Sequence, residues 1–195
     1  MLVSSIDMNG IRANFVFAPL NGKGAQVLIE VQSGLKKQFA KSPSGGFEYH
    51  IHEHPVGPNN DCMATGGHLD PANVGSAKCN STKPELCQEG DLSGKHGEFN
   101  ASDSGATPTI AYIDRQLQFS GAGTTIEGRS IVIHNNGTRV ACGNLLPMQP
   151  STTSSNADMD KDVDTKTAQY ANNGQSVASG LRGALLVALG VMALL

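Results

Sequence analysis

The chain has 195 residues, with 23 glycines, no tryptophan, 38% apolar residues and a formal net charge of −3 at pH 7. This length suits one domain with its own core plus tails, and the glycine content suits many short strands and turns. The net negative charge argues against nucleic-acid binding. Any attraction for an anionic ligand therefore has to come from local charges.

Segments of alternating apolar or β-branched residues predict strands, separated by Asn-Gly, Pro-Ser-Gly-Gly and Gly-Ala-Gly turn signals. The predicted strands span residues 11–18, 25–33, 47–54, 109–120, 130–134 and 138–145. No helical periodicity of useful length occurs before residue 160. We therefore predict an all-β sandwich or barrel.

The N-terminal residues 1–10 lack the charged start and the apolar region of about 7 to 15 residues that mark a secretory signal. They also leave little room for a further strand before residue 11. We expect a truncated N-terminus, with a signal and a strand encoded upstream.

Four histidines are candidate metal ligands. Because side chains alternate faces along a strand, His50 and His52 project from the same face. His68 follows two glycines, which let its loop approach closely, and His134 ends an apolar strand. Three or four neutral imidazoles suit Cu(II) or Zn(II), so the pattern predicts a metal site.

The long segment 59–97 carries three of the four cysteines, which are Cys62, Cys79, Cys87 and Cys142. Four cysteines permit three pairings. Free thiols or a Cys/His metal cluster are the alternatives, although no C-x-x-C spacing supports the cluster. Glycosylation sequons begin at Asn80, Asn100 and Asn136. Together these features favour an oxidising, secretory route.

Composition changes after residue 148. Residues 149–176 are rich in Ser, Thr, Asn, Asp and Lys and read as a solvated linker. Residues 177–195 end in an apolar run that is short for a membrane span of about 20 residues. A small-residue site at Asn172 or Gly174, a polar spacer and this tail predict a GPI-anchor signal. A short buried helix is the alternative.

Five motifs occur in a specific order: His-x-His at 50–52, Gly-His-Leu-Asp-Pro at 67–71, Gly-Asp-Leu at 90–92, Ile-His at 133–134 and Gly-Thr-Arg-Val-Ala-Cys-Gly at 137–143. Through them the chain resembles the superoxide dismutase family that binds copper in a Greek-key β-barrel or sandwich. The resemblance implies a copper domain over residues 1–148 with a disulfide-stapled ligand loop. It implies that the copper ligands are His50, His52, His68 and His134, and that Arg139 is the active-site arginine.

The chain departs from the pattern of the copper/zinc members at the zinc site. In copper/zinc members the third copper histidine bridges to zinc, which two further histidines and an aspartate complete. The two histidine positions fall here on Ser76 and Gln88, and only Asp91 remains. A hydroxyl and an amide are poor zinc ligands. We therefore expect one copper and no zinc per chain.

A second departure is the short connection 135–138 between His134 and Arg139, which implies a copper site open to solvent. Both departures resemble the copper-only, extracellular dismutases of fungi and similar eukaryotes. Those relatives often carry a glutamate after the second loop cysteine, where it helps to orient the third histidine. Gln88 stands there in this chain, which leaves Asp91 and Glu89 as two candidate partners of His68.

The resemblance pairs Cys62 with Cys142, which leaves Cys79 with Cys87 as a local clip. It implies disproportionation of superoxide through a Cu(II)/Cu(I) cycle, with Arg139 docking the anion and His68 supplying a proton. We expect an extracellular protein at the cell surface or cell wall, held to the membrane by a GPI anchor, with a monomer favoured.

Two other functions stay open. The first is a surface protein that sequesters or delivers copper without catalysis. The second is a copper/zinc enzyme with an unorthodox zinc site, for which no replacement ligands occur near Ser76 and Gln88. An arginine beside the histidines favours the dismutase, because a storage site needs no cation to dock an anion.

Overall fold

The computed structural model of the chain describes residues 1–75 and 79–149. Nine strands form two antiparallel sheets. The strands are β1 Leu2–Met8, β2 Ile11–Pro19, β3 Ala25–Ser33, β4 Gly46–His52, β5 Phe99–Asn100, β6 Ile110–Asp114, β7 Ser130–Asn135, β8 Thr138–Asn144 and β9 Leu146–Pro147. One sheet has the order β6-β3-β2-β1-β9 and the other has the order β5-β4-β7-β8. The prediction of an all-β sandwich is confirmed.

The helical elements are short. One α-helix, α1, spans Leu92–His96, and 3-10 turns span Lys37–Phe39, Pro58–Asn60, Cys62–Thr65 and Pro84–Leu86. Within the described parts of the chain, no helix has the length and apolarity that a membrane span requires. The predicted linker and GPI signal lie outside the described residues.

The core fills the space between the two sheets. Every second residue of β3 is buried, as the alternating pattern requires when one face of a strand packs inward. Tyr49 and Phe99 stack with ring centroids 4.1 Å apart, and Phe15 from the other sheet lies 6.2 Å from both rings. Ile51 is also fully buried in this cluster. The apolar side chains of β4 thus enter the core, and its histidines take the opposite face.

The expectation that residues 1–10 leave little room for a strand was wrong, because β1 pairs with β2 along its whole length. The inward face of β1 presents Leu2, Ser4 and Ile6, so a serine interrupts its apolar alternation. A Cβ on Gly143 would stand only 2.8 Å from Ser4 Oγ. A small polar residue is therefore what the close approach of β1 and β8 allows.

Two predicted strands are shorter than expected. The strand predicted over 47–54 ends at His52, and the one predicted over 109–120 covers only Ile110–Asp114. The second strand ends because the Asp114 carboxylate accepts the amide hydrogen of Gln116 (2.9 Å), which turns the chain.

Asp114 is buried and forms an ion pair with Lys95 on α1 (2.6 Å), and it also accepts a hydrogen bond from His96 (2.9 Å). Burial by itself would raise the pKa of Asp114. The hydrogen bond from His96 and the nearby charge of Lys95 outweigh burial and lower this pKa to about 2. The ion pair thus fixes α1 against the end of β6.

We predict that Asp114→Asn costs about 3 kcal/mol of unfolding free energy at pH 7, because it leaves the Lys95 ammonium buried without its partner. A carboxylate with a lowered pKa stabilises the fold above its unfolded pKa and loses that effect as pH falls toward about 2. The difference between wild type and variant should therefore shrink from pH 6 to pH 2.5 in urea titrations. An equal change for the exposed-site control Asp103→Asn, or a difference independent of pH, would contradict this role.

Two disulfides occur in the described residues, and one of them joins a loop to the sandwich. Cys62 pairs with Cys142 across 80 residues, and Cys79 pairs with Cys87 across 8 residues. The first bridge links the loop that carries His68 to strand β8. The second closes only a local turn. In the chain-entropy model these loops correspond to about 4.5 and about 2.5 kcal/mol of stabilisation.

We predict that replacing both Cys62 and Cys142 by serine lowers the free energy of unfolding by about 2 kcal/mol more than replacing Cys79 and Cys87. The double substitutions leave no free thiol in either case, so the two variants are matched. Equilibrium denaturation in urea measures the difference. Equal losses would show that loop closure is not what the long-range bridge contributes.

Candidate metal centre

Four histidine side chains converge on one point at the outer face of the β4–β7 pair. His50 and His52 lie on β4, His134 lies on β7, and His68 reaches them from the loop. One ring nitrogen from each lies within 4.8 Å of those of the others, and His52 Nε2 and His134 Nε2 are 3.1 Å apart. The structure thus brings together all four histidines that the sequence singled out.

The loop that carries His68 is joined to β4 by backbone hydrogen bonds. Leu69 N donates to Ile51 O (2.9 Å), Gly90 N donates to Leu69 O (2.8 Å), and Ile51 N donates to Gly90 O (2.9 Å). A Cβ on Gly90 would stand 2.3 Å from Ile51 O. A glycine at position 90 therefore lets the loop add to the sheet edge, which fixes where His68 enters the site.

Three of the histidines use their second ring nitrogen to contact an oxygen atom. His52 Nδ1 lies 3.0 Å from Gly66 O, His134 Nδ1 lies 3.3 Å from Gly137 O, and His68 Nδ1 lies 2.8 Å from Gln88 Oε1. Each oxygen accepts a hydrogen bond from Nδ1–H, so the proton of each ring lies on Nδ1 and Nε2 keeps its lone pair. Such partners set the tautomer and the ring orientation of metal-binding histidines.

His50 is oriented the other way round. Its Nε2 lies 3.1 Å from Ser93 Oγ and 3.4 Å from Asp91 Oδ1. Its Nδ1 is buried and has no hydrogen-bond partner among the described residues. A buried nitrogen without a partner is costly, and a metal ion among the four rings would supply the missing partner. The site therefore fits a metal bound by His50 Nδ1 and by the Nε2 atoms of the other three rings.

Three of the imidazoles are held neutral. Burial, with smaller contributions from the neighbouring histidines, lowers the pKa of His52 and of His134 to about 3. Burial and the neighbouring His50 also lower the pKa of His68. Neutral imidazole is the form that ligates metal. Four such nitrogens suit Cu(II) or Zn(II).

Arg139 lies at the edge of the site. Its Nη1 donates to Cys62 O (2.7 Å) and to Thr65 Oγ1 (2.9 Å), and its Nη2 donates to Gly66 O (2.6 Å). Gly66 has a φ of 74° and accepts hydrogen bonds from both Arg139 and His52. The left-handed backbone at Gly66 thus places one carbonyl between the arginine and a metal ligand.

The spacing between His134 and Arg139 is set by a two-residue hairpin turn. Asn136 and Gly137 both have positive φ, 52° and 75°, as a type I′ turn requires. The turn pairs His134 with Arg139 across β7 and β8. This turn is the short connection that the sequence predicted between His134 and Arg139.

The acids considered as partners of His68 lie elsewhere. Asp91 caps α1 by accepting from Gly94 N (2.8 Å) and contacts His50. One carboxylate oxygen of Glu89 is buried without a hydrogen-bond partner among the described residues. The group against His68 is Gln88, an amide rather than an acid.

The positions expected to lack zinc ligands can be described only in part. Ser76 lies outside the described residues. Gln88 makes its hydrogen bonds to His68 and to Asp70. Among the described residues, the four histidines are the only group of three or more His, Cys, Asp or Glu side chains arranged to hold a metal.

Sequence analysis missed two hydroxyl groups at the site. Ser93 contacts His50 Nε2, and Thr65 Oγ1 lies 3.2 Å from His52 Nδ1. Ser93 follows the helix N-cap signal at Asp91, which could have placed it near His50. No sequence pattern marks Thr65.

An open groove of about 1050 Å³ reaches the site from the side of His50 and His68. Among the described residues, its lining includes the carboxylates of Glu48, Asp91 and Glu98 and no lysine or arginine. The groove therefore disfavours anions, and Arg139 does not line it.

The predicted glycosylation sites are on the surface, since Asn80, Asn100 and Asn136 are all exposed.

Comparison with known proteins agrees with this geometry. The copper/zinc superoxide dismutase family profile matches residues 13–180. "Cell surface superoxide dismutase [Cu-Zn] 6" of Candida albicans is 37% identical over 138 residues, covering 69% of this chain and 40% of the relative. "Cell surface Cu-only superoxide dismutase 5" of the same organism is 31% identical over 173 residues, covering 88% of this chain and 70% of the relative. This chain thus spans less than half of the first relative.

Solved structures show the same similarity. The Cu(II) form of Candida albicans superoxide dismutase 5 superimposes with a TM-score of 0.63 at 29% identity, covering 80% of this chain and 97% of that chain. A mutant of the same dismutase gives a TM-score of 0.60 at 28% identity, with the same two coverages. From the profile match and the relatives together, the chain belongs to the copper/zinc superoxide dismutase family.

Proposed function

We propose that this chain is a copper-only superoxide dismutase with one copper ion in the four-histidine site. The observation that carries the proposal is the buried His50 Nδ1, which lies among three neutral imidazoles and has no hydrogen-bond partner in the described part of the chain. This all-nitrogen donor set suits copper. Copper supplies a one-electron couple that turns two superoxide ions and two protons into one O2 and one hydrogen peroxide.

Arg139 is proposed to dock the anion. Among the described residues, its Nε–H and one Nη2 hydrogen have no partner, because the hydrogen bonds to carbonyls and to Thr65 use the others. A planar guanidinium with two free donors suits a small anion. Arg139 is not among the described residues that line the acidic groove, so the anion would approach beside Arg139 rather than through that groove.

His68 is proposed to hold and release one of the two protons. His68 is half-buried, whereas His50, His52 and His134 are buried. The least enclosed ring is the one that can exchange a proton with solvent. The other three rings would hold the site together while His68 changes its protonation at Nε2.

The cell surface is the proposed location. The relatives from Candida albicans and Arthroderma benhamiae carry "cell surface" in their names. Two disulfides and no free cysteine among the described residues fit an oxidising compartment. Anchoring through a GPI signal cleaved at Asn172 or Gly174 is part of this proposal and rests on sequence composition alone.

Metal analysis combined with superoxide-dependent activity tests the proposal. We expect about one copper and no stoichiometric zinc after loading with both metals and dialysis, and no change in activity on adding zinc. A chain in which both His50 and His52 are replaced by alanine is the control for adventitious copper. Bound copper with no dismutation above this control would instead favour a copper-sequestering protein.

Zinc bound near-stoichiometrically beside copper would contradict the copper-only assignment. The decisive sample is the folded chain with its disulfides intact. Rates should be measured by pulse radiolysis, so that free copper and bound copper can be separated by titration with a chelator.

We predict that Arg139→Gln lowers the rate with superoxide roughly 10- to 100-fold, the effect of losing one charged hydrogen bond of about 1.5–3 kcal/mol. Arg139→Lys is the matched control, because it keeps the charge but loses the planar fork, and it should fall between wild type and Arg139→Gln. Copper content should stay near one per chain in both variants. Loss of copper in both would show that the contacts of Arg139 with the loop, and not docking of the substrate, account for the lower rate.

A further inference from the structure

Gln88 connects His68 to a second residue of the same loop. Its Oε1 lies 2.8 Å from His68 Nδ1, and its Nε2 lies 3.1 Å from Asp70 Oδ2. In the sequence Asp70 stands only as part of the Gly-His-Leu-Asp-Pro motif. The structure instead places Asp70 behind the side chain that contacts a metal ligand.

The direction of the Gln88 amide determines which nitrogen of His68 carries the proton. An amide has a donor end and an acceptor end, whereas an ionised carboxylate only accepts. The NH2 group of Gln88 therefore has to face Asp70, which leaves its oxygen to face His68. With an acceptor at Nδ1, the proton of His68 lies on Nδ1 and the lone pair of Nε2 points to the metal site.

Asp70 is itself held in place by the loop backbone. Val74 N donates to its Oδ1 (2.9 Å), and Gly75 N donates to its Oδ2 (2.7 Å). Both carboxylate oxygens therefore have fixed partners, and the oxygen that faces Gln88 cannot turn away. No other side chain among the described residues makes a hydrogen bond to the Gln88 amide.

We propose that Asp70 is a positioning residue that acts through Gln88 to fix the tautomer of His68. In this chain the neutral amide of Gln88 contacts His68. The carboxylate of Asp70 orients that amide and does not itself contact the histidine. The proposal deepens the proposed function and rests on His68 being a copper ligand. Its first test needs no activity measurement, so the two can fail separately.

The test measures the His68 tautomer in the full, metal-free chain labelled with 15N-histidine, above pH 7, by multiple-bond 1H–15N NMR. Wild type should show the proton on Nδ1. Asp70→Ala removes the acceptor, so the amide can reverse and His68 should become a mixture of Nδ1–H and Nε2–H forms. Copper affinity, measured by competition with a chelator, should fall about 10-fold, the smaller of the losses typical for partners of metal ligands.

A second substitution separates positioning from support of the turn. In Asp70→Ala/Gln88→Glu, the new carboxylate accepts from His68 whichever way it lies, although the hydrogen bonds of Val74 and Gly75 to Asp70 stay lost. The Nδ1–H form and most of the copper affinity should return. Asp61→Ala is the matched control, because Asp61 accepts from a loop amide, Met63 N (2.8 Å), without contacting Gln88.

Three results would overturn the proposal. One is an Nε2–H form in wild type, which decides the matter even if Asp70→Ala does not fold. Another is an unchanged tautomer in Asp70→Ala. The third is a failure of the added Gln88→Glu to restore the Nδ1–H form, which would show that Asp70 acts only through the turn.

Discussion

The metal centre depends on the register between β4 and β7. In this register Glu48 pairs with His134 and His50 pairs with Val132, so three histidines share the outer face. A slip of one residue would move these rings into the core and bring apolar side chains out. The inward residues Tyr49, Ile51 and Ile133 are fully buried. Packing in the core therefore holds the geometry of a site that lies on the other face.

The fourth ligand, His68, has no such support from a strand, and the loop is fixed by several weaker contacts instead. Backbone hydrogen bonds join the loop to Ile51 and Gly90, a disulfide joins Cys62 to β8, and Arg139 binds loop carbonyls. His68 is also the least buried of the four rings. Three of the proposed ligands are therefore held by strands and the fourth by a loop.

Much of the fold and of the site could be predicted from sequence because it follows local rules. Strand alternation placed His50 and His52 on one face, and the Asn136-Gly137 pair marked the tight hairpin before Arg139. Strand β1 was missed because Ser4 occupies an inward position that only the neighbouring Gly143 explains. The pairing of Gln88 with Asp70 was also missed, since the direction of an amide depends on neighbours in space and not on spacing in sequence.

The contact of Ser93 and Asp91 with His50 depends on groups outside the four-histidine cluster. Helix α1 has only five residues, too few to be stable alone. Its position comes from the buried Leu92 and from the ion pair of Lys95 with Asp114, both nearly inaccessible to solvent. Removal of one partner from a buried ion pair strongly destabilises the fold. The pair therefore holds α1 firmly. The orientation of His50 therefore rests in part on an ion pair at the end of β6.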